Sequence, residues 1–152
     1  MRSVADALQS IAVALWAGAL WAVGFVVAPL LFHYVHDRAL AGMLAGRFFD
    51  AVSWIGIACA VYLVVFRCAR YGAACLKQGF LWTALVMLAL VLAGTFGVQP
   101  VMEALRAQAL PKEVMESVLR DRFMTWHGIA SGLYVIQSAL AVALVILHGR
   151  GK

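Results

Sequence analysis

The chain has 152 residues, of which 65% are hydrophobic and only 12% charged, and it carries a net charge of +5. Soluble domains have roughly a quarter charged residues, so this composition excludes a soluble globular domain and points to an integral membrane protein. No basic helix face with interleaved aromatics occurs, so the positive charge is read as a topology signal and no nucleic-acid partner is expected.

Four apolar runs, about 5–32, 48–66, 79–98 and 123–147, each suffice to cross roughly 30 Å of hydrocarbon as a helix. They predict an all-α, four-helix transmembrane bundle forming one domain, with the lipid bilayer as its main partner. The first run exceeds the roughly 7–15 apolar residues of a secretion signal, and its flank "MRSVAD" sets an acid beside Arg2, so it reads as a span. The first helix should run from about Val4 to Phe32. Ala and Gly crowd it, which lets a neighbouring backbone approach closely. Pro29 removes one hydrogen bond and should kink the last turn.

"HYVHD" is a short connection, because Asp37 is a good N-cap for the second helix. That helix carries G-x-x-x-G at Gly42 and Gly46, a packing device that would act within the bundle, in a homo-oligomer or against a membrane-complex partner. The connection after it, "RCARYGAACLKQ", holds Arg67, Arg70 and Lys77 without an acid. Arg2, Arg150 and Lys152 add to that side. Arg38, Arg47, Arg106, Lys112, Arg120 and Arg122 on the other side are as numerous, but are spread through longer segments among acids. Charge density in short loops therefore predicts cytoplasmic termini. Cys59, Cys68 and Cys75 form no C-x-x-C, and their odd number argues against a disulfide framework, so they read as reduced, space-filling residues.

The third helix should run from about Gly79 to Gln99 and end at Pro100. Beyond it Val101, Leu105, Leu110, Val114 and Val118 recur near helical spacing, and Pro111 suits a first turn. Two short amphipathic helices on the outer surface are expected between spans three and four, with Glu113, Glu116 and Arg120 on a solvated charged face.

The fourth span contains the most polar pattern. His127, Ser131, Tyr134 and Ser138 are spaced four, three and four apart, one helical face, with Gln137 at its border. Such groups act either as interhelical glue or as a functional site. In the functional reading His127, Ser131 and Tyr134 bind a ligand, with Arg47 or His33 as the polar group across from the histidine. Depth brings a second set into view, because His33, His36, Met43, Met124 and His127 all fall near the outer face. Imidazole and thioether donors suit copper(I) or haem iron, so His33, His36, Met124 and His127 form a candidate metal set. No nucleophile motif, P-loop or dinucleotide fingerprint occurs, and no catalytic residue is predicted.

Three stretches, "LWAGALWAVGFVVAPLLF" (15–32), "DRALAGMLAGRFF" (37–49) and "HGIASGLYVIQ" (127–137), resemble the bacterial domain-of-unknown-function family 4149, whose eukaryotic relatives are similar to transmembrane protein 205. The resemblance implies a four-span protein of the bacterial inner membrane without an agreed activity. It marks Ala28–Pro29, Ala41–Gly42, Phe48 and His127–Gly128, and leaves His33 outside the pattern. More distantly, the first helix resembles those of CopD-type copper proteins and HemJ-type haem proteins, which implies a link to copper or haem b. Gln9, Ser10 and Ile11 stand here where the HemJ type carries its haem-linked histidine. Three functional classes follow: a small-ligand or metal binder or transporter, a haem-binding redox protein, and an accessory subunit.

The charge-density argument has a direct test. A topology reporter fused after Lys152, or inserted between Arg70 and Lys77, is expected to be active only on the cytoplasmic side, and periplasmic activity at either position would overturn the orientation.

Overall fold

The computed structural model describes residues 4–109 and 118–150. Nine stretches are named in chain order: α1 (Val4–Ala22), a π-turn (Val23–Val27), α2 (Ala28–Tyr34), α3 (Arg38–Tyr71), a 3-10 turn (Gly72–Lys77), α4 (Gly79–Leu92), a second π-turn (Ala93–Val98), α5 (Gln99–Ala109) and α6 (Arg120–Gly149). They make four continuous rods, Val4–Tyr34, Arg38–Lys77, Gly79–Ala109 and Arg120–Gly149, each long and apolar enough to cross a membrane. This is a multi-pass, all-α membrane protein. Only 22–33% of each rod's most apolar window is buried within the protein, so most of that surface needs a lipid environment.

Asp37 caps α3 as its sequence suggests, its carboxylate accepting from the backbone N–H groups of Ala39 (2.9 Å) and Leu40 (3.1 Å). Pro29 and Pro100 behave alike, and Pro100 differently from expectation. Each sits just past a π-turn: Ala28 N–H bonds to Val23 O before Pro29, and Gln99 N–H bonds to Gly94 O before Pro100. Widening the turn relieves the clash of the proline ring with the carbonyl four residues back, so the helix continues. Pro100 therefore does not end the third helix. α5 prolongs it, and its amphipathic character shows in Met102, Leu105 and Ala109, which are buried, the first two beside Val98 and Phe123. The second expected surface helix, with Pro111, Lys112, Glu113 and Glu116, lies outside the described residues.

α1, α3, α4 and α6 pack as a ring in which each rod touches its sequence neighbours and α1 closes onto α6. Trp16, Leu20, Leu63, Phe80, Met87 and Leu144 fill its centre. The termini and the Gly72–Lys77 turn share one end, here the terminal end: Tyr62 donates to Ala5 O (3.3 Å), and Ser10 Oγ lies 3.0 Å from His148 Nε2. At the opposite, distal end the ring opens. There α2 packs on α3 and α5 on α6, but among the described residues no comparable packing joins α2 to α6 or α3 to α5. Two helical hairpins thus diverge from a closed base.

Close approach in that base depends on one glycine. A Cβ on Gly56 would lie 2.5 Å from Trp16 Nε1, and the Trp16 ring is fully buried. Gly56→Ala should destabilise the protein by about 1–3 kcal/mol through overpacking, seen as earlier thermal unfolding in detergent. Gly18→Ala should melt like the parent or later, because nothing lies within 4 Å of a Cβ there.

Candidate functional site

The space between the diverging hairpins is a cleft of about 1230 Å³. Small residues of α3, among them Gly42, Ala45 and Gly46, line it in part. The G-x-x-x-G pair is therefore no close helix contact within the bundle. Nothing lies within 4 Å of a Cβ on Gly42, and at Gly46 the nearest atom is Arg106 Nη1 at 3.5 Å. Here the absence of side chains keeps space open.

The cleft has an apolar body and a charged mouth. Leu20, Val52, Leu90, Val91 and Leu133 line the body, while Phe25, Phe32, Met43, Met124 and Val135 line the rim and stay exposed. Towards the distal end stand Arg38, Arg47, Asp50, Gln99, Glu103, Arg106 and His127. That is three arginines against two carboxylates. Asp50 is hydrogen-bonded by Gln99 and lies in the fields of Arg47, Arg106 and Glu103. Arg106 also rests 5.3 Å from the centre of the Phe123 ring. Arg47 is exposed, and among the described residues no carboxylate lies within 4.0 Å of it.

The polar face of the fourth span divides at Tyr134. On its inner side the groups join helices: Trp21 Nε1 donates to Ser138 O (3.2 Å), and Gln137 Nε2 donates to Met87 O (3.5 Å). Tyr134 donates its hydroxyl to Leu20 O and packs edge-on against Phe49 at 5.0 Å. A Cβ on Gly24 would overlap the Tyr134 ring. On the outer side Ser131 bonds its own helix at His127 O (2.8 Å), and the His127 ring stacks on Phe123 at 6.1 Å. Both line the cleft, as do Tyr134 and Arg47. Sequence reasoning thus placed four residues around one space.

The candidate metal set is not gathered in the same way. Met124 and His127 line the cleft, but His33 makes an edge contact with Tyr34 at 4.8 Å and His36 is exposed in the 35–37 connection; neither is among the lining residues. Among the described residues no three of His, Cys, Asp or Glu stand close enough to hold an ion, so the outer histidine level does not assemble. The reason is that equal depth does not fix azimuth: His33 and His36 lie at the end of one hairpin and His127 faces the space between two.

Sequence reasoning also passed over Asp50, Gln99, Glu103 and Arg106, treated as topology charges or as part of a surface helix. The signal was their position at the distal edge of spans two and three. At the terminal end it missed Arg67, which is buried at 3% exposure. Its Nη1 donates to Gln78 Oε1 (2.9 Å), its Nε and Nη2 donate at 2.8 and 3.0 Å to the Gln9 amide oxygen turned toward them, and the guanidinium lies 4.1 Å from the Phe80 ring centre.

One family model, described as a domain of unknown function (DUF4149), matches residues 11–111. The chain belongs to that family. No curated protein and no solved structure matches it.

The junction of Tyr134 and Gly24 gives a prediction. Tyr134→Phe, which loses the donor to Leu20 O, should lower stability by about 0.5–1.5 kcal/mol. Gly24→Ala should cost more, because its methyl group meets the ring itself. In thermal unfolding the Gly24→Ala/Tyr134→Ala double variant should fall short of the sum of its single variants, since both act on one contact.

Proposed function

We propose that this member of the DUF4149 family binds a small amphipathic molecule with an acidic head in the cleft between its two hairpins. The observation that carries this reading is the polarity gradient of one continuous space: an apolar body, an apolar exposed rim, and a mouth with three arginines against two carboxylates. The expected spans place Arg47, Asp50, Gln99, Glu103 and Arg106 at the distal boundary of the hydrocarbon, where lipid headgroups sit. A ligand oriented like a lipid would set its head against Arg47 and its chain among Leu20, Val91 and Leu133. The volume exceeds the roughly 300–1,000 Å³ of ordinary small-molecule sites, as an extended chain requires. His127 and Ser131 contribute donors beside the head, and Tyr134 marks the closed end.

A fluorescent polyene fatty acid, titrated into purified protein in mild detergent, tests the reading. The parent should bind it; Arg47→Gln should weaken binding by about tenfold, as the loss of one charge-assisted hydrogen bond implies. Gly42→Leu should abolish binding with little change in melting, because its side chain enters the cleft without meeting the protein. Equal binding by the parent and both variants would place the probe elsewhere and overturn the proposal. A Soret band in the purified parent would replace the amphiphile with haem.

A further inference from the structure

At the terminal end, remote from the cleft, two cysteines whose spacing matches no pairing motif are in contact. Cys68 lies in the last turns of α3 and Cys75 in the 3-10 turn that follows, and their sulfur atoms are 3.5 Å apart. The chain reverses between them at Gly72, whose φ of +52° lies in the left-handed region that favours glycine. Cys68 is exposed and Cys75 is buried, at 3% exposure. Cys59 lies apart, buried in the core of the bundle.

We propose that Cys68 and Cys75 are a reversible dithiol–disulfide site whose co-reactant is a low-molecular-weight disulfide. One exposed thiol with a second, shielded thiol already touching it is the arrangement of a reacting and a resolving cysteine. The Cys68 thiolate attacks one sulfur of the small disulfide, forming a mixed disulfide and releasing one small thiolate, which takes up a proton. The Cys75 thiolate then attacks Cys68 Sγ, closing the internal bond and releasing the second small thiol. The protein loses two protons and two electrons, and the small disulfide gains them. Closure requires the sulfurs to move from 3.5 Å to about 2.05 Å, a shift that χ rotation and the short glycine-hinged turn can supply. The bond would tie the end of α3 to the residues just before Gln78, the amide that holds Arg67. On the cytoplasmic side, where the charge pattern sets this end, such a bond forms only when the thiol pool becomes oxidised.

Oxidised glutathione added to the detergent-purified full chain, without air, tests this by intact mass and by maleimide labelling after denaturation. The parent, which has three cysteines, should lose the mass of two hydrogens and retain one labelled thiol. Cys59→Ser should close as the parent does. Cys75→Ala should stop at a glutathione adduct on Cys68, and Cys68→Ser should not close. A parent that stops at a stable adduct, links to a second copy or keeps all its thiols overturns the proposal, as does closure in Cys68→Ser.

Discussion

The structure turns on the place where the Tyr134 hydroxyl meets the first helix. The tyrosine donates to Leu20 O, the carbonyl that Gly24 N–H faces in a regular α-helix. A side chain entering the ladder is one of the few causes of a helix deformation, and the π-turn Val23–Val27 begins at this point. Glycine is required there because any Cβ would occupy the tyrosine ring's place. Below this junction four helices form a closed ring around Trp16 and Phe80. Above it the first and third rods have both passed through a π-turn and a proline, and the two hairpins separate. The junction of Tyr134 with Leu20 and Gly24 lies where the closed ring gives way to the cleft.

The two ends handle buried charge in opposite ways. Arg67 sits at 3% exposure, among the described residues without a carboxylate within 4.0 Å, held by two neutral amides and the face of Phe80. All of its contacts are internal, so the terminal end is closed by it, and its conformation is fixed by the packing around it. At the distal end the charges are partly or wholly exposed and their mutual contacts incomplete: Asp50 engages Gln99, Arg106 leans on Phe123, and Arg47 engages neither a carboxylate within 4.0 Å nor an aromatic face among the described residues. An arginine at a membrane boundary needs hydration or an anion. Structural charge satisfies itself, whereas the distal set keeps bonding capacity that its described neighbours do not use.

Much of the frame was legible from the chain. Length and hydropathy define four spans because lipid gives a backbone few alternatives to helix. Asp37 was legible because a cap is a local matter. The fourth-span face was legible as a face, but the sequence left glue and site as alternatives for the whole of it, and only the packing separates the residues that join helices from those that line the cleft. The remainder depended on relations a linear pattern does not contain. Pro100 reads as a stop unless the preceding turn is known to widen. Gly42 and Gly46 read as a contact because the sequence does not say whether a partner helix or a void faces them. Cys68 and Cys75 are seven residues apart, a spacing without a motif, and meet only because Gly72 reverses the chain. His33 and His127 share a depth but not a direction.

The small residues of α3 acquire a different meaning in this setting. In a bilayer no hydrophobic force drives helices together, since acyl chains are as apolar as leucine, and helices associate through packing and polar contacts. A glycine face that touches no helix is not left facing vacuum; acyl chains fill it. A cleft with an apolar rim open to lipid and arginines at its mouth is thus occupied by default, and on the proposed reading its specificity is a competition between a ligand and the surrounding lipid. Chain burial contributes little to that competition because both occupants are apolar. Discrimination then falls to the head, and the groups within the cleft that can read it include the three arginines, His127, Ser131 and the carboxylates of Asp50 and Glu103. The apolar body admits the class of molecule, and the charged mouth selects the member.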